Sequence, residues 1–344
     1  MAASTQSRSL SEGALIAAIR QQAQARHRSP ELRLGIGDDC AVLRPAAGEE
    51  IVVTTDFSLE GVHFRREWHS PESAGHRCLA RGLSDLAAMG ARPVAVFLSM
   101  AVPRELVAAR GGKSWLERFL DGLLALADRS KVSLAGGDTA RAVGPACFDI
   151  VLLGAVKSGR ALLRSGASAG DLIYVTGALG GAVAELMALR RSPRRLARLT
   201  IASPEHPHLF PEPRLAVAAR IRSAASAAID VSDGLVTDLA HLCEESGLRA
   251  ELDASAIPVH RLAVEAERAG WVPSAMDLAL DGGDDYELVF TARPGAKIPR
   301  RVAGVDVHRI GRMAVRRSAR APMMLRGEDG RLTALEPRGW EHFR

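Results

Sequence analysis

Residues 70–102 read SPESAGHRCLARGLSDLAAMGARPVAVFLSMAV, a stretch in which helix signals are followed at once by strand signals. Ser70 is a favourable N-cap, and Pro71 suits the first helical position. The pattern predicts a helix that ends at Gly90, a common residue just after a helix C-cap. The apolar run Pro93–Val102 predicts a buried strand. A helix joined directly to a buried strand indicates an α/β or α+β domain.

The same alternation extends through the first half of the chain. Strands are predicted at 51–56, 132–134 and 146–156, and helices at 11–26 and 114–129. The segment 158–170, SGRALLRSGASAG, is rich in glycine, serine and alanine and predicts a domain boundary. The expected domains are therefore residues 1–157 and 158–344.

The second half again alternates between strands and helices. Its strands are predicted at 171–176, 227–231, 249–253 and 286–292. Its helices are predicted at 181–190, 235–246 and 260–269, with one more that ends at about residue 222. Further strands are expected in the C-terminal tail. The fold prediction is therefore two α/β halves of similar size.

Length and composition exclude several classes of protein. A chain of 344 residues suggests two domains at roughly 150 residues each. Hydrophobic residues make up 47% and charged residues 25%, which excludes disordered, collagen-like and low-complexity chains. The apolar runs are shorter than the about 20 residues that a membrane helix needs. The first residues lack the apolar stretch of a secretory signal, so we expect a cytoplasmic protein that binds no membrane.

Charge and cysteine content point away from nucleic acid and from zinc. The net charge of +5 is spread along the chain, and aromatic residues are only 4%, too few for base-stacking platforms. We therefore expect no nucleic-acid partner. Cys40, Cys78, Cys147 and Cys243 form no CxxC pair, a spacing that suits neither zinc nor a disulfide framework.

The most informative pattern is a set of aspartates beside glycines or at the ends of apolar runs. They are Asp38, Asp39, Asp56, Asp85, Asp138, Asp230, Asp233, Asp284 and Asp285. We expect apolar strands to bring these ends together at one edge of a sheet, where so many carboxylates would repel and require a cation. Mg²⁺ prefers oxygen ligands and uses one or two carboxylates together with substrate phosphates. The aspartates therefore predict a magnesium-dependent phosphate site.

Glycine-rich loops give weaker indications. Gly177–Gly181 lies between a predicted strand and a helix, where its amides would hold an anion or only form a tight turn. Gly111–Ser114 resembles the end of a phosphate-binding loop, but Val107 stands where the first glycine belongs, so a helix start is expected instead. No serine-hydrolase elbow and no His-Glu-x-x-His motif occurs.

Eight segments, read in order, resemble the thiamine-monophosphate kinase family. They are GIGDDCAVL, TTDFSLEGVHF, LSDLAAMGARP, GGDTAR, RSGASAGDLIYVTG, AIDVSDGLVTDL, GGDDYELVFT and GWEHF, from about residue 33 to 343. The wider superfamily includes aminoimidazole ribonucleotide synthetase, selenophosphate synthetase and a hydrogenase maturation protein. Those proteins share the fold and the use of ATP, but not the combination of VSDGL, GGDDYEL and GWEHF.

The resemblance implies a two-domain aminoimidazole ribonucleotide synthetase-like fold of the α/β (α+β) class. The N-terminal sheets of two protomers would form a dimeric barrel-like core, with residues 1–157 binding ATP and metal and residues 158–344 completing the nucleotide and thiamine phosphate site. The active site would lie in the cleft between the domains. The implied reaction is ATP-dependent phosphorylation of thiamine monophosphate to thiamine diphosphate, by direct in-line transfer with several Mg²⁺ ions and without a phosphoenzyme.

The resemblance also assigns residues, by matching motif positions. The implied metal ligands are Asp39, Thr54, Thr55, Asp56, Asp85, Asp138, Asp230 and Asp233, with both threonines using backbone or hydroxyl oxygens. Asp138, Asp230 and Asp233 are implied as catalytic. ATP would contact Gly137, Asp138, Arg164 and Ser232, and thiamine monophosphate would contact His63, Asp284 and Trp340. The chain departs from the usual family pattern at Asp284, where many relatives have glutamate, and at Ala140 and Gly82.

Two other kinds of function stay open on the sequence. The chain could be another ATP-using enzyme of the superfamily with a different acceptor. Alternatively, it could be a nucleotide- or metal-binding protein without turnover.

Overall fold

The computed structural model describes residues 12–109, 112–192, 199–200, 202–203, 205–316 and 323–340. These residues group into two compact units. Unit 1 takes those within Met1–Leu83, Arg92–Ser158 and Leu189–Ser203, and unit 2 takes those within Ser84–Ala91, Gly159–Ala188 and Pro204–Arg344. No helix among the described residues is long and apolar enough to cross a membrane.

Unit 1 combines helices with short and long strands. Its strands are β1 (Leu32–Leu34), β2 (Val42–Leu43), β3 (Glu49–Leu59), β4 (Arg92–Val102), β5 (Ser133–Arg141) and β6 (Cys147–Lys157). Its helices are α1 (Glu12–Gln24), α3 (Arg104–Val107), α4 (Trp115–Ser130) and the first part of α2 (Pro71–Ala88). Helices α2 and α4 begin at the serines where the sequence predicts their starts. The Ser70 hydroxyl accepts from Ser73 N at 3.1 Å, and Ser114 forms a capping box with Glu117.

The main sheet of unit 1 has the strand order β3-β6-β4-β5. β6 runs antiparallel to both neighbours, whereas β4 and β5 are parallel. One face packs an aromatic core in which the rings of Phe119 and Phe148 stack at 4.0 Å between centroids. Arg118 of α4 forms a two-pronged ion pair with Glu72 of α2, at 2.8 and 2.9 Å, which ties these helices together.

Unit 2 is built around a larger mixed sheet. Its strands are β7 (Leu172–Thr176), β8 (Ala225–Val231), β9 (Leu248–Asp253), β10 (Glu287–Ala292), β11 (Arg301–Val302), β12 (Val305–Val315), β13 (Met323–Arg326) and β14 (Leu332–Leu335). Its helices are α5 (Gly181–Arg191, whose last residues fall in unit 1), α6 (Leu215–Ile221), α7 (Leu235–Glu245), α8 (Arg261–Arg268) and α9 (Ala275–Asp281).

The sheet of unit 2 has the order β14-β13-β9-β12-β7-β10-β8, with β11 paired to β12. Apolar clusters cover both of its faces. One contains Leu239 and Leu242 of α7, and the other contains Val217 and Ile221 of α6. Every residue of β10 is buried as a result.

The structure confirms the α/β class and most predicted elements, with two corrections. The strand predicted at 132–134 continues through Arg141 as β5, so Asp138 lies inside a strand. Asp56 likewise lies inside β3 and not at its end. The short helices α3 and α9 were not predicted. Residue 11, where the first helix was predicted to begin, lies outside the described residues.

Candidate active site

The sheet of unit 1 places Asp56 and Asp138 at a similar level but on its two outer strands. Two adjacent rows of paired residues cross the sheet from β3 through β6 and β4 to β5. The first row is Asp56, Ile150, Leu98 and Gly137. The second row is Phe57, Asp149, Ser99 and Asp138. Three inter-strand spacings, or roughly 14 Å, separate the outer strands. The expectation that strand ends bring these two carboxylates together is therefore wrong within unit 1.

Asp56 is paired with a basic residue of helix α2. The Arg81 guanidinium donates to Asp56 Oδ1, with Nη2 at 3.0 Å and Nε at 3.3 Å. Because side chains alternate along a strand, Thr54 shares this face and Thr55 points to the opposite, exposed face. Thr54 and Asp56 can therefore offer side-chain oxygens to one cation, whereas Thr55 would have to use its backbone oxygen.

Gly137 and Asp138 form a tight polar segment within β5. A Cβ atom at Gly137 would lie 1.8 Å from the backbone oxygen of Leu98, and φ is +147°, so only glycine fits here. The Asp138 carboxylate is exposed and accepts from the backbone N–H of Thr139 at 2.8 Å. This arrangement leaves Asp138 accessible to a phosphate-bound cation.

Asp149 is an acidic residue of this sheet that the sequence interpretation missed. It lies on β6 opposite both Phe57 and Ser99. Burial raises the pKa of Asp149, and the negative charge of Asp56 adds to the increase. An aspartate that interrupts the apolar run FDIVLL was the available signal.

The remaining predicted residues of unit 1 lie in loops. Asp39 is exposed between β1 and β2, and its N–H donates to Asp38 Oδ1 at 3.0 Å. His63 follows β3, and its Nδ1 accepts from the backbone N–H of Leu59 at 2.9 Å. A neutral His63 ring therefore carries its proton on Nε2.

Asp230, a predicted metal ligand, lies in unit 2. It is buried in β8, and its Oδ2 accepts from the Ser84 hydroxyl at 2.7 Å. Ser84 precedes Asp85 in the last turns of α2, so the fold brings two predicted metal ligands, Asp85 and Asp230, into one neighbourhood. Ser84 itself was not predicted.

The VSDG segment after β8 is organised by a single carboxylate. Asp238 Oδ2 accepts from the backbone N–H groups of Ser232, Asp233 and Gly234 at 2.9, 3.0 and 3.1 Å. Burial raises the pKa of Asp238 well above its ordinary value, and the charges of Asp230 and Asp233 raise it further. Asp238 therefore sets the conformation of the segment that carries predicted nucleotide and metal ligands.

Asp284 belongs to a second segment, GGDDYE, which pairs with the first. Its N–H donates to the backbone oxygen of Ser232 at 2.8 Å. The Tyr286 hydroxyl donates to Asp284 Oδ1 at 2.8 Å, and His208 Nδ1 lies 3.6 Å from Oδ2. Asp284 and Tyr286 have φ values of +66° and +50°, a left-handed conformation that is uncommon away from glycine and often found at functional sites.

The glycine-rich turn after β7 holds an anion, and that anion is a carboxylate of the same unit. Asp285 accepts from Gly180 N at 2.6 Å and from Ala182 N at 3.1 Å, at the start of α5. Burial raises the pKa of Asp285 to about 7, against the effect of these two bonds. The two alternatives for Gly177–Gly181 thus both describe part of the result, a tight turn around an internal anion.

Arg164 and Trp340 are both exposed. The Arg164 backbone oxygen accepts from the Ser246 hydroxyl at 2.6 Å, which fixes the short 3₁₀ turn Arg164–Gly166. Trp340 is 57% exposed, and its backbone N–H donates to the Asp233 oxygen at 3.2 Å. The ring therefore does not anchor the tail by burial.

The predicted ligands suit a hard cation by their chemistry. Each offers oxygen, the donor that Mg²⁺ prefers. Within the part of the chain that the structure describes, no three Asp, Glu, His or Cys side chains come close enough to form a ready-made metal cage. Carboxylates that stand singly or in pairs match the way Mg²⁺ binds, with water and substrate phosphates filling the other positions.

Comparison with known proteins agrees with the motif resemblance. Residues 37–156 match the N-terminal domain of the AIR synthase related protein family, and residues 168–319 match its C-terminal domain. The chain is 36% identical over 317 residues to thiamine-monophosphate kinase of Salmonella typhimurium, covering 91% of this chain and 93% of that protein. It is 30% identical over 317 residues to the Bacillus subtilis protein of the same name, covering 90% and 94%.

Solved structures agree as well. A thiamine-monophosphate kinase from Stenotrophomonas maltophilia superimposes with a TM-score of 0.75 at 37% identity, covering 94% of this chain and 98% of that one. AaThiL, solved in complex with AMPPCP and TMP, gives 0.72 at 29% identity, covering 99% and 100%. A hydrogenase maturation protein, HypE, gives 0.72 at only 16% identity, which shows a shared fold alone. The extent of these matches shows that the chain belongs to the thiamine-monophosphate kinase family.

Proposed function

We propose that this protein transfers the γ-phosphoryl group of ATP to thiamine monophosphate and so forms thiamine diphosphate. The observation that carries the proposal is the near full-length match to AaThiL, whose structure holds AMPPCP and TMP together. AMPPCP has the shape of ATP with a carbon in place of the bridging oxygen. A protein that binds this analogue beside the acceptor is arranged for transfer between the two.

The residues present suit direct in-line transfer without a phosphoenzyme. The acceptor is a phosphate with a second pKa of about 6, so it is mostly ionised at pH 7 and needs no strong base. The main barrier is the approach of two polyanions, which positioning and charge neutralisation lower. Bound Mg²⁺ would supply that neutralisation, held by Asp39, Thr54, Thr55, Asp56, Asp85, Asp138, Asp230 and Asp233.

The chain's own groups would bind and orient the two substrates. Gly137, Asp138, Arg164 and Ser232 are proposed to contact ATP. Asp284, held by Tyr286 and His208, would meet the cationic half of the acceptor together with His63. The ring of Trp340, a residue that is 57% exposed, would attract the positively charged thiazolium ring.

We also propose that residues 1–157 provide ATP binding, metal binding and dimerisation, and that residues 158–344 contribute further nucleotide and acceptor contacts. Edge strand β3 supports a homodimer, because it exposes Val53 at 60% and Phe57 at 57% on one face. A long apolar edge strand normally needs a cover. Light scattering should show a dimer for the wild type and a monomer for Phe57→Asp; a dimeric variant would reject this interface. The cytoplasmic location stays a prediction.

One assay tests the proposed reaction. ADP release is measured with Mg²⁺ and ATP against thiamine, thiamine monophosphate and hydroxymethylpyrimidine phosphate. We expect turnover with thiamine monophosphate and very little with thiamine, because a free hydroxyl is neither ionised nor charged. Equal rates with thiamine would contradict the mechanism. Turnover with a different acceptor would favour the rival superfamily enzyme, and tight ATP binding without turnover would favour a binding protein.

A further inference from the structure

The C-terminal tail of unit 2 is attached to the VSDG segment through its backbone. Trp340 N donates to the Asp233 oxygen at 3.2 Å, and Gly339 N donates to Thr237 Oγ1 at 3.1 Å. Two consecutive residues thus bind two points at the start of α7. A tail that would otherwise fray is held at a defined place.

The contact is too close for any residue except glycine at 339. A Cβ atom there would lie 2.0 Å from the Asp233 backbone oxygen and 2.4 Å from Thr237 Oγ1. The nearer atom belongs to backbone and cannot move away at low cost. Glycine is therefore required by the close approach of the tail and not by a left-handed conformation.

The surface that receives the tail is itself held firmly. Asp238 binds the three N–H groups of residues 232–234. Burial raises the pKa of Asp281 at the end of α9, and the positive charge of Arg338, the residue before Gly339, partly opposes that increase. The tail therefore rests against a fixed segment.

The attachment positions the Trp340 ring without burying it. Trp340 stays 57% exposed while its own backbone N–H and that of Gly339 are both bound. The face of an aromatic ring attracts a cationic heterocycle, and a backbone that is already held need not be ordered when the ligand binds.

We propose that Thr237 and Gly339 are positioning residues that dock the tail on the Asp233 segment and thereby place Trp340 for recognition of the cationic ring of the acceptor. This inference rests on the proposed function. It adds that the side chain of Thr237, which accepts a bond from the tail, controls affinity for the acceptor but not for ATP.

Steady-state kinetics of single variants test whether the tail contacts affect the KM for thiamine monophosphate and not the KM for ATP. Trp340→Ala should raise the KM for thiamine monophosphate about thirtyfold, the loss expected for one desolvated cation–π contact. Gly339→Ala should approach that value, because the added methyl excludes the docked backbone. Thr237→Val should raise this KM about two- to tenfold, as expected for one hydrogen bond, while Thr237→Ser restores it. The KM for ATP should change less than about twofold in all of them.

Two controls separate positioning from general damage. Thr333→Val removes a comparable hydroxyl-to-backbone bond, from Thr333 Oγ1 to the Leu325 oxygen, and should leave both KM values unchanged. In the Trp340→Ala variant, adding Thr237→Val should not raise the KM for thiamine monophosphate further. Thr237→Val acts only through the Trp340 ring, which is then already absent. A full additive effect would overturn the proposal.

Trypsin cleavage after Arg338 tests docking without using activity. Thr237→Val and Gly339→Ala should speed release of the segment that begins at Gly339, whereas Thr237→Ser, Trp340→Ala and Thr333→Val should match the wild type. Unchanged cleavage in both tail variants, or faster cleavage with an unchanged acceptor KM, would overturn the inference. A wild type that does not phosphorylate thiamine monophosphate would instead overturn the proposed function, and the cleavage rates would still report on docking.

Discussion

Replacing Asp238 tests whether one carboxylate holds the VSDG segment in place. In Asp238→Ala, the N–H groups of Ser232, Asp233 and Gly234 lose their common acceptor. Asp238→Asn keeps an acceptor oxygen of similar position and removes a negative charge that Asp230 and Asp233 oppose. The two variants therefore separate loss of hydrogen bonding from loss of charge.

The magnitude follows from the three bonds. At about 1 kcal/mol each, Asp238→Ala should lower the free energy of unfolding by about 3 kcal/mol. Bonds to a neutral acceptor are roughly half as strong, and relief of like-charge repulsion offsets part of that loss, so Asp238→Asn should cost about 1 kcal/mol. At roughly 2–4 °C per kcal/mol, Tm should fall by about 6–12 °C for alanine and by about 2–4 °C for asparagine.

Scanning calorimetry at pH 7 measures these shifts. Asp277→Ala is the matched control, because Asp277 is an exposed acid in the first turn of α9 and should cost less than about 1 kcal/mol. ADP release should also fall further in Asp238→Ala than in the control, since the segment that carries Asp233 loses its support. An Asp238→Ala protein with the Tm of the control would refute the reasoning.

Three further predictions concern charge and positioning. Burial raises the pKa of Asp285 from 3.8 to about 7, so the folded protein binds this proton more tightly than the unfolded chain does. The resulting stability is present below a pH of about 4 and is lost as the pH rises to about 7. Tm measured across that range should therefore fall less with pH in Asp285→Asn than in the wild type, and parallel curves would contradict this. Asp138→Asn and Asp233→Asn should each lower the rate of ADP release by about 100-fold or more with little change in Tm; near wild-type rates at low millimolar Mg²⁺ would remove both from the ligand set. Tyr286→Phe removes the hydroxyl bond to Asp284 and should raise the KM for thiamine monophosphate about two- to tenfold, with the KM for ATP as the internal control.

Local patterns were enough to predict most elements. The helix that begins at Ser70-Pro71 and stops before Gly90 depends on capping groups within a few residues of each end, and those groups are visible in the sequence. Helix α9 escaped prediction because it spans only Ala275–Asp281 and follows a turn-rich stretch. Its start does carry a signal, since Ser274 caps it through a bond from Met276 N at 3.1 Å.

The candidate site was predicted by residue type but not by arrangement. The aspartates stood out because acids seldom interrupt apolar runs. Their relative positions depend on cross-strand register, which is why Asp56 and Asp138 were expected together and lie on opposite outer strands. Asp149 was missed although it interrupts the apolar run FDIVLL, and its neighbours Phe57 and Ser99 in the sheet are distant in sequence.

The sequence by itself determined the α/β class, the acidic motifs and the resemblance to a kinase family, because periodicity, capping and motif spacing are all properties of neighbouring residues. Only the tertiary structure decided which partner each polar group takes. Asp285 binds the amides of a turn about a hundred residues away, and Thr237 receives the tail at Gly339. A buried carboxylate or amide must find a hydrogen-bond partner, and the folded chain, not the local sequence, brings that partner within reach.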